Sequence, residues 1–111
     1  MASITSPQYA KKAKLSDGTT YGYIHVPAAE GKPTLLLLHG APSSSYIWHR
    51  QVDALPKSGL GLLVPDLLGY GDSDRPEGIE PYQLKLVVPH VYELVTKVVG
   101  LEKVIGVGHD L

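Results

Sequence analysis

Between Pro33 and His39 lies an unbroken run, Thr34-Leu35-Leu36-Leu37-Leu38, which ends at Gly40. No charged or strongly polar position alternates through it, as expected of a strand covered on both faces in a parallel sheet. Leu62-Leu63-Val64 and Lys103-Val104-Ile105-Gly106-Val107 have the same character and predict two further core strands. Upstream, residues 11–15 and 21–26 flank the turn signal Ser16-Asp17-Gly18 and predict a β-hairpin. Tyr46, Ile47, Trp48, Val52 and Leu55 recur at helical spacing behind three candidate N-caps, Ser43-Ser44-Ser45, and residues 56–59 close that helix. Residues 82–99 carry Leu84, Val87, Val88, Val91, Leu94, Val95 and Val98, the stripe of a second helix. Pro89 predicts a kink there or a later start, and Gly100 a stop.

The predicted order is hairpin, strand, helix, strand, helix, strand. Strands alternating with helices define an α/β fold with parallel strands and helices on both faces. Sites in such sheets form in the loops at the carboxyl ends of the strands. Three loops qualify: residues 39–45, 66–76 and 108–111.

Composition narrows the field. A chain of 111 residues holds one domain. Ten Lys and Arg against eleven Asp and Glu, with no run of one sign, argue against a nucleic-acid surface. The absence of cysteine excludes disulfides, thiolate zinc sites and a cysteine nucleophile. Residues 1–7 are small and polar without an apolar core, so no secretory signal is read there, and no apolar stretch is long enough for a bilayer. The default expectation is therefore a cytoplasmic chain with no membrane partner.

Gly106-Val107-Gly108-His109-Asp110 is a strand running into a small-x-acid turn. A small residue two before the acid lets the backbone turn sharply and presents the middle position at the tip. There a carboxylate can attack an electrophilic carbon and form an ester, splitting one hard displacement into two steps. An N-cap for a following helix is the competing role of Asp110. In His39-Gly40-Ala41-Pro42, the glycine frees the chain to aim the Ala41 N–H into the cleft, where it and the Leu111 N–H would stabilise an oxyanion. A plain strand-ending turn is the alternative, with His39 bracing the loop. Asp66 and Asp74 lack a His, Cys or Glu cluster at ligand spacing, so no metal site is expected and Asp66 is read as capping its loop. Gly106-x-Gly108 lacks the third glycine of a dinucleotide fingerprint, since Leu111 stands there, and no cofactor is expected. His25, His49 and His90 show no partners and are read as surface or interface histidines, and Trp48 as packing its helix on the sheet.

From about Lys11 to Leu111 the sequence resembles the N-terminal part of an α/β-hydrolase of the epoxide hydrolase–haloalkane dehalogenase branch. His39-Gly40-Ala41-Pro42 resembles that branch's H-G-x-P, and Ser45-Tyr46-Ile47-Trp48 its following helix start. Residues 65–76 resemble its D-x-x-G-x-G-x-S-D-x-P loop, and Gly108-His109-Asp110 its nucleophile elbow. The resemblance implies Asp110 as nucleophile toward a small apolar epoxide. It also implies Ala41 and Leu111 as oxyanion donors, with His39, Gly40, Pro42, Gly108 and His109 shaping the loops. Haloalkane dehalogenases place a halide-binding Asn after His-Gly and a Trp after the nucleophile. Here Ala41 and Leu111 occupy those positions, which favours an epoxide over a halide. A fluoroacetate-type dehalogenase would carry Arg where Leu111 stands.

In this family the activating His, its acidic partner and the cap tyrosines follow the nucleophile. Residues 1–111 are thus expected to form the N-terminal portion of a single α/β-hydrolase domain without its C-terminal half and cap. That portion is expected to be inactive alone and to self-associate through an exposed strand edge. The alternatives are a haloalkane or haloacid dehalogenase of the same fold, or a non-catalytic interaction fragment.

Overall fold

Ser16, Asp17 and Gly18 turn the chain between β1 (Ala10–Lys14) and β2 (Thr20–Val26), which pair antiparallel with Ala10 opposite Ile24 and Lys14 opposite Thr20. The computed structural model describes residues 9–40 and 44–109. After β2 come β3 (Thr34–Leu38), α1 (His49–Ala54), β4 (Gly61–Pro65), α2 (Leu84–Glu93) and β5 (Ile105–Gly108). Among the described residues the sheet has the order β1-β2-β4-β3-β5. β4 runs antiparallel to β2 and parallel to β3, and β5 runs parallel to β3 on its other side.

The leucine run of β3 divides between two cores because successive side chains point to opposite faces. Leu37, with Ile24, Val26, Leu62 and Val64, packs against Val52 of α1, and Trp48 and Leu55 cover its border. Leu36, with Tyr23 and Leu63, packs against Leu94 and Val95 behind α2. Helices therefore cover both faces. β4 is buried at all five positions, as its apolar run predicts.

The structure departs from three sequence expectations. The first helix is not continuous: 3-10 turns at Ser45–Trp48 and Leu55–Ser58 flank the short α1. Ser44 supplies its N-cap, accepting the Tyr46 N–H, and Pro56 falls within the closing turn. The second helix starts at Leu84 rather than near Pro89, runs through that proline, and widens into a π turn at Leu94–Val98. Its close is the Val99 N–H donating to the Leu94 carbonyl five residues back. β5, expected as a core strand, is exposed at every position, with Ile105 52% accessible. It pairs with β3 along one edge, and among the described residues no strand pairs with its other edge.

His90 also departs from its expected role as a surface or interface histidine without partners. It is buried on α2, its ring within 3.2 Å of the Tyr21 hydroxyl and its Nε2 2.7 Å from Asp17 Oδ2. The Nε2–H donates to the carboxylate, which leaves Nδ1 to accept from Tyr21. Next to this pair, the Ser16 N–H and hydroxyl both donate to Glu93. The hairpin turn is thus latched to α2. His49 likewise has a partner, its Nδ1 2.8 Å from the Tyr46 carbonyl and its ring stacked on Tyr46.

Candidate active site

The carboxyl ends of β3, β4 and β5 stand side by side, because Leu35–Leu38 pair with Ile105–Gly108 and Leu35 and Leu36 with Leu62 and Leu63. The pairing of β3 with β5 extends one residue past the strands: the His109 N–H donates to the Leu38 carbonyl at 3.1 Å. Gly108 and His109 therefore leave the sheet directly beside the start of the His39-Gly40 turn. Asp110, Leu111, Ala41 and Pro42 lie outside the described residues.

His39 is fully buried at this end. Leu67 N–H donates to its Nε2 at 2.9 Å, so that nitrogen is unprotonated and Nδ1–H donates to the Gly40 carbonyl at 2.7 Å. Burial, offset in part by the Gly40 carbonyl and the Asp66 charge, pushes the imidazole below its ordinary range and keeps it neutral. Tyr70 meets the ring edge-on, with centroids 5.5 Å apart. Both nitrogens are engaged, so His39 ties the β3 turn to the β4 turn and has no free base to offer.

The loop after β4 is organised by Asp66, whose side chain is fully buried. An ionised carboxylate there costs several kcal/mol, about the scale of a desolvated ion, unless donors surround it. Ser45 N–H donates to Oδ1 at 2.8 Å and Asp72 N–H to Oδ2 at 3.0 Å. Gly71, at φ +53°, lets the chain pass so close that a Cβ there would overlap the carboxyl group. The Ser73 hydroxyl donates to the Asp66 carbonyl and accepts the Gly22 N–H, while the Asp66 N–H donates to the Gly22 carbonyl. Further out, Asp74 exchanges hydrogen bonds with Thr20, and the Tyr82 hydroxyl donates to the Pro76 carbonyl. This loop is a brace between β4, β2 and the β3 turn. Among the described residues no group of His, Asp or Glu could hold a metal ion.

The sequence singled out Asp66 for its loop but not its grip on Ser45, twenty-one positions away. Ser45, fully buried, carries a hydroxyl without a partner among the described residues and an N–H committed to that carboxylate. A serine inside a run of three gave no sign of which one is buried. A groove of about 830 Å³ lies at the opposite end of the sheet, between Pro33, Thr34, Lys103 and Ile105. His39, Ser45, Asp66 and His109 do not line it.

The fold agrees with that of the known proteins the chain matches. A family model for the α/β-hydrolase fold matches residues 33–111. The chain belongs to the α/β-hydrolase fold family. It is similar to epoxide hydrolases: it is 41% identical over 80 residues to epoxide hydrolase A of Mycobacterium tuberculosis, covering 72% of this chain and 24% of that protein. An AB hydrolase superfamily protein of Bacillus subtilis, YfhM, is 39% identical over 89 residues, covering 78% of this chain and 31% of that one. The solved structure of a variant epoxide hydrolase from Vigna radiata superposes with a TM-score of 0.81 at 30% identity, over 91% of this chain and 30% of that chain. The chain thus spans 24% to 31% of the length of these relatives. Among the described residues no helix is long and apolar enough to cross a membrane.

Proposed function

We propose that the chain carries the nucleophile half of an epoxide-opening site, with Asp110 as nucleophile and the Ala41 and Leu111 N–H groups as oxyanion donors. The supporting observation is the His109 N–H bond to Leu38, which sets the residue before Asp110 against the base of the His39-Gly40 turn. A carboxylate oxygen of Asp110 bonds to a ring carbon of the epoxide as the ring C–O bond breaks. The released oxygen takes a proton and becomes the hydroxyl of a β-hydroxyalkyl ester. Water then adds to the ester carbonyl, the oxyanion forms and collapses, and the diol leaves with Asp110 restored. His39 and Gly40 shape the donor turn, together with Pro42, and Gly108 and His109 shape the elbow. No metal or cofactor enters this scheme.

Residues 1–111 alone are expected to stall at the ester. His39 and His90 have both ring nitrogens engaged, and His25 borders the groove at the far end of the sheet, so none of these activates water at the elbow. Incubation with styrene oxide, followed by intact mass measurement and peptide mapping, should show one epoxide mass added at Asp110 and almost no catalytic diol. Asp110→Asn should abolish the adduct. A wild-type chain unmodified at Asp110, or an Asn variant modified as fast, removes the nucleophile assignment. Ala41 and Leu111 lack side-chain donors for a leaving halide, so a haloalkane or haloacid dehalogenase is the weaker reading. A non-catalytic interaction role is favoured by one feature, the exposed edge of β5.

A further inference from the structure

We propose that Asp17-Gly18, at the tip of the β1–β2 hairpin, is a site of spontaneous isomerisation to isoaspartate, held in its ordinary form by the latch from α2. An aspartate followed by glycine favours this chemistry, because the second residue has no Cβ to shield its nitrogen. The Gly18 backbone nitrogen attacks the Asp17 Cγ. Its proton and the carboxyl hydroxyl leave as water, and a five-membered succinimide closes. Water then opens the ring. Attack at Cγ restores aspartate, whereas attack at the main-chain carbonyl leaves Gly18 bonded through Cγ, which is isoaspartate.

Burial does not protect the site. Ser16, Asp17 and Gly18 are all exposed, and the Asp17 side chain is 54% accessible. Gly18 has φ +91°, and beyond its chain neighbours a Cβ there would find no atom closer than Lys14 Cε at 4.0 Å. Hydrogen bonds protect it instead. The Thr19 N–H donates to Asp17 Oδ1 at 2.9 Å and the His90 Nε2–H to Oδ2 at 2.7 Å. One of these oxygens must leave as water, so ring closure sacrifices one of the two bonds. The Gly18 N–H, which must be given up, is itself committed to the Leu15 carbonyl at 2.9 Å. A carboxyl also loses water readily only when neutral. Held at about 2 instead of 3.8, that of Asp17 is neutral more than tenfold less often.

The Thr19 bond belongs to the turn, but the His90 bond arrives from α2, 73 positions along the chain. His90 is buried, and the Tyr21 hydroxyl on its Nδ1 selects the tautomer that carries the proton on Nε2. Glu93, one helical turn on, clamps the Ser16 N–H and hydroxyl. Control of the bond between residues 17 and 18 therefore lies on α2. Isoaspartate makes the main chain one carbon longer and the carboxylate arm one carbon shorter, so the His90 bond is not remade and release of the hairpin tip is permanent.

The full chain, its His90→Ala and Glu93→Ala variants, and a synthetic peptide of residues 12–22 are kept warm in mildly acidic buffer for several weeks. Isoaspartate at residue 17 is read by peptide mapping with electron-transfer fragmentation, and far-UV circular dichroism scores folding. The wild type should isomerise about tenfold more slowly than the peptide, or slower still, with His90→Ala recovering most of that factor and Glu93→Ala a smaller part. A wild-type chain as fast as the peptide overturns the proposal, as does a folded His90→Ala chain no faster than wild type. If His90→Ala unfolds, Glu93→Ala decides, since it removes only a surface contact, and a rate equal to wild type then overturns the proposal. Loss of fold in both variants overturns it too, because the latch is then a folding contact.

Discussion

Asp17 shows how one residue joins two elements that are remote in sequence. His90 and the N–H and hydroxyl of Thr19 hold its carboxyl down from the ordinary 3.8 to about 2, the His90 bond contributing most. Glu93, bonded to Ser16, is shifted in the same direction. A carboxylate depressed on folding stabilises the native state at pH values above its unfolded pKa and loses that contribution as pH falls through the folded one. Urea unfolding of wild type and Asp17→Asn should therefore differ most above pH 4 and converge between pH 4 and about 2. A gap that stays constant over that window would show that the His90 latch does not depend on the ionised carboxylate. Nothing in the sequence marks this pair: Asp17 sits in a turn signal, His90 in an apolar stripe, and they stand 73 positions apart.

The loop that follows β4 makes the corresponding case for an element. Gly71 and Gly78 both have positive φ, +53° and +87°, but a Cβ at Gly71 meets the Asp66 carboxyl while one at Gly78 meets nothing within 4 Å. Gly78→Ala should cost about 1–2 kcal/mol, the backbone term alone. Gly71→Ala should cost about 2 kcal/mol more, because the loop or the carboxylate has to move. Equal losses in denaturant unfolding would mean that the loop yields freely around Asp66. The strands were legible because buried β3 and β4 need uninterrupted apolar residues, and the loop was legible from its glycines and acids. The exposed state of β5 was not, since Ile105 and Val107 look the same whether or not something covers them. Nor was the broken first helix, where Pro56 and the short spacing from Ser44 leave room for only six α-helical residues. At the candidate site His39, Gly40 and Gly108 were legible as motif positions, whereas the partners of His39 and Asp66 depend on which strands become neighbours.

At the scale of the molecule, β5 presents Ile105 and Val107 to solvent, and α2 presents Leu84, Val88 and Tyr92 along one side. An unpaired edge and a bare apolar face invite a second chain. Sedimentation velocity should show residues 1–111 associating as concentration rises, and Val107→Lys should shift them toward monomer. A chain that remains monomeric at high concentration would show that these surfaces are tolerated in water. The order β1-β2-β4-β3-β5 acts on a different timescale. β3 is made before β4, yet neither of its neighbours precedes it in the chain. A ribosome that has delivered residues 1–60 has released a hairpin and a leucine-rich strand with nothing to pair with. Until β4 emerges and wedges between β2 and β3, that strand is the segment of the nascent chain most in need of a chaperone.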